Sequence, residues 1–159
     1  MRNHCAFEQP ANRPGLGFHV ASGDETGGEP RKAAARNRPA LLEGKRILVI
    51  EDEALLALTL AEELDDLGCS SIGPFTTLSG ALQAVRNLEF DAAIVDVNLG
   101  GQFVYPVADE LVARGVPFVF LTGYAKTTLP ERLQACPHLL KPYNPVILER
   151  ELMRLMRAR

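Results

Sequence analysis

The chain is predicted to be an α/β domain: a five-stranded parallel sheet with helices on both faces. Three observations predict it. From Lys45 to the C-terminus, apolar runs alternate with helical periods five times, the pattern of strand–helix units joined by right-handed crossovers. The runs Ile47–Ile50, Ala92–Val95 and Val116–Leu121 are apolar without alternation, as in strands buried on both faces. Four of the five runs stop at a polar residue: Glu51-Asp52, Asp96, Thr122 and Lys141.

Residues 1–43 are rich in Gly, Pro, Ala and Arg and show no apolar period of 2 or 3.6. They read as a disordered extension, with the basic run 31–38 as solvated tail, ahead of a domain over 44–159. The first strand is predicted at Arg46-Ile47-Leu48-Val49-Ile50. From Glu53 to Leu67 leucines at 55, 56, 58, 60, 64 and 67 recur at helical spacing, and Gly68 suits the stop. The acids at 51–53 suit the positive end of that helix dipole. Cys69–Ile72 is a short strand closed by Gly73-Pro74. Leu78–Leu88 is a second helix, with Ala81, Leu82, Val85 and Leu88 on one side.

The third strand is Ala92–Val95, ending in Asp96 and followed by a Gly100-Gly101 loop. Val104–Arg114 is a helix with Val107, Ala108, Leu111 and Val112 inward, and Val116–Leu121 a fourth strand closed by Thr122-Gly123-Tyr124. A short helix is expected around Leu129–Ala135, then a strand His138–Leu140 ending in Lys141-Pro142. Asn144–Met156 is an amphipathic helix with Asn144 as N-cap and Pro145 at its first position.

Composition narrows the function. Of 159 residues 47% are hydrophobic and 23% charged, and the net charge of -3 gives no electrostatic argument for nucleic acid or an anionic membrane. No apolar run reaches membrane-spanning length, and no signal-peptide core follows Met1. Cys5, Cys69 and Cys136 have neither metal-site spacing nor an even count, which points to a reducing cytoplasm.

In a parallel sheet all strand C-termini share one edge, where ligands bind. Capping would account for each polar residue singly, but not for two acids, a hydroxyl and an ammonium meeting at one edge. Asp52 and Asp96 supply hard oxygen ligands for Mg²⁺, with a backbone carbonyl after Asp96 as a third. Lys141, the Thr122 hydroxyl and the Gly123 amide suit phosphoryl oxygens, and Asp96 is placed to attack phosphorus. No Gly-rich nucleotide loop is present.

Ile47–Glu53, Asp91–Asn98, Phe120-Leu121-Thr122-Gly123 and Leu140-Lys141-Pro142, in that order, resemble the receiver domain of two-component response regulators. The resemblance implies the flavodoxin-like (CheY-like) fold, with strand order 2-1-3-4-5. It implies Asp96 as phosphoacceptor from a histidine kinase or phosphotransfer protein, with Thr122 and Lys141 on the phosphoryl group. It also implies Mg²⁺ on Asp52, Asp96 and the Asn98 carbonyl, with Glu51 reaching the ion through water, and a cis Lys141-Pro142 bond. Receivers usually carry a proline soon after the phosphoacceptor, and here Gly100-Gly101 follows Leu99. His138 stands where many have an aromatic switch residue. Phe118–Tyr124 instead looks like the motif of the FATGUY group, mostly single-domain alphaproteobacterial receivers, which favours Tyr124 over His138 in any relay. Asn98, Gly123 and Tyr124 are expected to set the switch and the lifetime of the aspartyl phosphate.

With three residues after the last helix, the chain reads as a stand-alone receiver that signals by protein contact or drains phosphate, without an enzymatic output domain. The competing readings are an aspartyl-nucleophile phosphohydrolase and a phosphorylation-independent interaction module. Against the first, Asn98 stands where such enzymes place a general acid.

Overall fold

Residues 40–124 and 129–157 are described by the computed structural model, so residues 1–39 of the expected 1–43 extension, with its basic run, lie outside the described residues. The elements are β1 (Arg46–Ile50), α1 (Ala54–Asp66), β2 (Ser70–Phe75), α2 (Leu78–Asn87) and β3 (Ala92–Asp96). A hairpin of β4 (Asn98–Leu99) and β5 (Gln102–Phe103) comes next, then α3 (Tyr105–Ala113), β6 (Phe118–Thr122), a 3-10 turn at Glu131–Leu133, β7 (His138–Leu140) and α4 (Pro145–Arg157). Five strands pair in parallel in the order β2-β1-β3-β6-β7, which among sheet strands alone is 2-1-3-4-5. This is the flavodoxin-like order that the resemblance implies.

Strand alternation divides the core into two layers. Leu48, Ile50, Ala93, Val95, Phe118 and Phe120 point to the layer with α2 and α3. Ile47, Val49, Ala92, Ile94, Val119 and Leu121 point to the layer with Leu60 and Leu64 of α1 and Leu148 and Leu152 of α4. Every residue of β3 and β6 is buried, which is why their sequences carry no polar alternation. Leu42 is fully buried in the second layer, so packing begins ahead of the change in composition at Lys45.

Several expectations are corrected. The apolar arc of α1 is too wide for one face, and Leu55 (72% exposed) and Leu58 turn to solvent while Ala57, Leu60 and Leu64 face the sheet. Val112 is likewise exposed rather than inward. β2 does not close at Gly73-Pro74 but continues to Phe75, whose carbonyl accepts from the Glu51 N–H at 3.1 Å. Pro74 is tolerated because β2 is an edge strand. In place of the short helix there is a single 3-10 turn, held to α3 by a two-bond Arg132–Asp109 pair at 2.8 Å. No acid lies in the first turn of α1, and Glu53 at its N-cap makes no side-chain cap, so capping does not account for the acids after β1.

Cys69 follows α1 with its thiol buried, donating to the Leu42 carbonyl at 3.4 Å. Burial first, then the nearby carboxylates of Glu43 and Asp91, push its pKa up to about 11. Iodoacetamide near neutral pH therefore leaves Cys69 unmodified in the native protein and labels it on denaturation, read by mass spectrometry of its peptide. Labelling at equal rates in both states would contradict this burial.

Candidate functional site

Four of the five sheet strands deliver polar side chains to a common edge. β1 runs into Glu51 and Asp52, β3 ends on Asp96, β6 ends on Thr122, and Lys141 directly follows β7, its own bond to Pro142 being cis. The ends are level because the ladders are in register, Ile50 beside Val95, Asp96 beside Leu121, and Thr122 beside Leu140.

The ends of β1, β3 and β7 are joined by side-chain bonds. Lys141 Nζ donates to Asp96 Oδ2 at 2.8 Å and to Glu51 Oε2 at 2.8 Å. Glu51 is only 1% exposed, and its other oxygen accepts the Glu53 N–H at 3.1 Å. Asp52 is exposed, and its Oδ2 accepts the Gly100 N–H at 2.8 Å. Asp96 is buried, with Oδ1 accepting the Asn98 N–H at 3.3 Å. Thr122 is fully buried, and its Oγ accepts the Tyr124 N–H at 3.0 Å, which leaves the hydroxyl hydrogen to point elsewhere.

One oxygen from each of Glu51, Asp52 and Asp96 falls within 4.8 Å of the others. Three carboxylates around one ammonium leave an excess of negative charge in a partly buried place, where like charges repel more strongly than in water. The carboxyl of Glu51 is held above its ordinary value, chiefly by burial and further by Asp96, against the lowering effect of Lys141. Burial alone would lower Lys141, but its bonds to Asp96 and Glu51 prevail and hold it above the usual lysine value. Hard oxygen donors with surplus negative charge fit a Mg²⁺ ion. Glu51 is bonded directly to Lys141, so its nearest positive partner is the ammonium.

The residues expected to set the switch divide. Asn98 Nδ2 donates to the Tyr124 hydroxyl at 3.1 Å, and Asn98 Oδ1 accepts the Gly101 N–H at 2.7 Å, so the pair joins the segments that follow β3 and β6. A methyl group at Gly123 would meet nothing within 4 Å, so packing does not demand glycine there. His138 pairs with Phe120 in the sheet and is half-buried.

The sequence reading missed the hairpin and its aromatic residues. Phe103 stacks on Tyr105 with ring centres 5.0 Å apart and planes at 4°, and meets the edge of Tyr124 at 6.2 Å and 63°. Gly100 and Gly101, at φ +57° and +89°, turn the chain between the two short strands, as two-residue hairpin turns require. The Gly-Gly pair was the available signal. No helix among the described residues is long and apolar enough to cross a membrane.

The chain is similar to known signalling proteins, although no protein-family model matches it. It is 30% identical over 104 residues to the transcriptional regulatory protein PdtaR of Mycobacterium tuberculosis, a match covering 63% of this chain and 51% of PdtaR. The chain thus spans about half the length of that relative. The solution structure of SdrG from Sphingomonas melonis is 39% identical, covers 71% of this chain and 97% of SdrG, and superposes with a TM-score of 0.63. A receiver domain of a Pseudomonas aeruginosa sensor histidine kinase, crystallised with magnesium in its active-site cleft, is 26% identical. That match covers 72% of this chain and 98% of the domain, at a TM-score of 0.61.

Proposed function

Because the chain belongs to the receiver domains of response regulators, we propose that it accepts a phosphoryl group on Asp96 from a histidine kinase or phosphotransfer protein. It then passes the signal on by protein contact or drains it from the donor. The observation that carries this reading is the Lys141 ammonium, 2.8 Å from both Asp96 and Glu51 beside a third carboxylate. The family is regulatory, and the cytoplasm is where we place the reaction. Phe118–Tyr124 supports placing the chain within the FATGUY group.

In the reaction an Asp96 oxygen attacks phosphorus, the P–N bond to the donor histidine breaks, and the imidazole leaves with a proton. Mg²⁺, held by Asp52, Asp96 and the Asn98 carbonyl with Glu51 nearby, would supply neutralisation of the phosphoryl oxygens. Lys141, already bonded to the acceptor, moves its charge onto the new phosphoryl oxygens as Asp96 loses its own. The Thr122 hydroxyl, whose oxygen is taken by the Tyr124 N–H, has its hydrogen left to donate to the phosphoryl group.

Incubation with ³²P-acetyl phosphate tests the proposal. Alkali-labile label that appears with Mg²⁺ and is lost with EDTA supports it. A protein that takes no label from acetyl phosphate or from any phosphohistidine donor overturns it.

The Asn98–Tyr124 bridge lies where a hydrolytic water would approach Asp96. Replacing Asn98 or Tyr124 by Ala opens that approach, and the phosphorylated protein then loses its label about fivefold faster, the kinetic equivalent of one hydrogen bond. An unchanged half-life in both variants would remove the bridge from any part in hydrolysis.

A further inference from the structure

The hairpin after β3 makes one bond that the phosphoryl chemistry does not use. The Gly100 N–H crosses from the end of β3 to the end of β1 and donates to Asp52 Oδ2 at 2.8 Å. A proline at residue 100 could neither donate this bond nor adopt φ +57°. The departure from the usual receiver sequence therefore creates a contact. Through the Gly101–Asn98 bond, the Asn98–Tyr124 bond and the Phe103–Tyr105–Tyr124 rings, that contact reaches an outer surface where Phe103 is 47% and Tyr124 41% exposed.

We infer that the β4–β5 hairpin is a latch on Asp52, so that closure of the hairpin and binding of a divalent cation at Glu51, Asp52 and Asp96 oppose one another. This rests on the reading of those carboxylates as a cation site. The reason is competition for charge. An N–H bond to a full carboxylate is about twice as strong as one to a neutral acceptor, and a cation on the same carboxylate withdraws that charge. The bond also holds Asp52 in one orientation, which by itself would favour the cation. That effect freezes two torsions of a short exposed side chain, a smaller effect than the weakened bond. Binding free energies are reciprocal, so whatever loosens the hairpin tightens the cation, and cation binding loosens the hairpin. Cation occupancy thus becomes visible on the aromatic surface before any phosphoryl group arrives.

The test is a Mg²⁺ titration of the full chain, followed by calorimetry and by NMR exchange of the Gly100 amide. Tyrosine fluorescence adds a third reading, since the chain has no tryptophan. Phe103→Ala loosens the hairpin from an exposed position that does not threaten the fold. Gly100→Ala keeps the N–H but forces a side chain into φ +57°, where its methyl meets nothing within 4 Å. Val112→Ala, exposed on α3, is the control. Expected are faster Gly100 exchange on Mg²⁺ binding and about fivefold tighter Mg²⁺ binding in both hairpin variants, with the control unchanged. Mg²⁺ binding with Gly100 exchange unmoved, or hairpin variants that bind as the wild type does or more weakly, overturns the latch alone. A wild-type chain that binds no Mg²⁺ at millimolar concentration overturns the cation site and the latch with it.

Discussion

Asp96→Asn protein will take up no phosphoryl label while keeping the fold and stability of the wild type. The loss is complete because the amide oxygen has no charge with which to attack phosphorus and neither Glu51 nor Asp52 can replace it. Glu51 is buried against Lys141 and Asp52 is held by the Gly100 N–H. The fold survives because Asn matches Asp in shape, and its amide oxygen still accepts from Lys141 Nζ. Electrostatics favour the variant, since Asp96 is one of the charges that raise Glu51. Removing it leaves one buried carboxylate opposite one ammonium. The melting temperature is therefore expected to fall by no more than the equivalent of about 1 kcal/mol, and it rises if relief of repulsion prevails. The measurements are ³²P incorporation and thermal unfolding on the same preparation. Label retained by a folded Asp96→Asn chain would place the acceptor elsewhere, and loss of label through unfolding would show as a collapsed melting temperature.

How much of this site is legible in the sequence follows from element length. β1, β3 and β6 are five residues each, apolar to their last turn, and the polar residue that closes each is visible because the run stops on it. Parallel order then brings the ends together, and Glu51, Asp52, Asp96, Thr122 and Lys141 need no further information. The hairpin's strands were not legible by period because β4 and β5 have two residues each, and only the Gly100-Gly101 turn marked them. Its bond to Asp52 joins groups 48 residues apart through a backbone N–H, which no side-chain pattern encodes. Leu55 and Leu58 misled because leucine recurs nearly all round α1, and period alone does not say which stripe meets the sheet. The strand-end pattern placed Glu51 at the right edge. It did not show that Glu51 turns inward to Lys141, because that depends on the distance between β1 and β7, which lie on opposite sides of β3 and β6.

Lys141→Ala has the second large effect, and its pH dependence carries a definite sign. Lys141 is the ammonium that stands between two buried carboxylates, so its removal leaves Glu51 and Asp96 facing each other unpaired. Breaking a buried pair in this way costs about 3 kcal/mol, or roughly 10 °C in melting temperature, when both carboxylates stay ionised. The Glu51 carboxyl is already above its ordinary value with the lysine present, and losing the bond and charge that lower it takes it higher still. A carboxyl raised in the fold favours the fold most below its unfolded value, and that contribution is lost as pH rises through the folded value. The deficit of the variant against wild type therefore grows as pH rises out of the ordinary carboxylate range, because at low pH Glu51 takes a proton and the repulsion disappears. In the wild type Lys141 is raised, so its contribution is present through the neutral range and is lost only as alkali removes its proton. Phosphotransfer should drop about 10²- to 10³-fold, since the charge aimed at the phosphoryl oxygens is gone. Mg²⁺ should restore part of the stability at high pH, by supplying positive charge to the same carboxylates, and little of the transfer rate. Melting curves of both proteins across pH, with and without Mg²⁺, measure all of this. A deficit that stays constant or shrinks with rising pH would mean that Lys141 stabilises the protein through packing of its stem and not through the carboxylates it bridges.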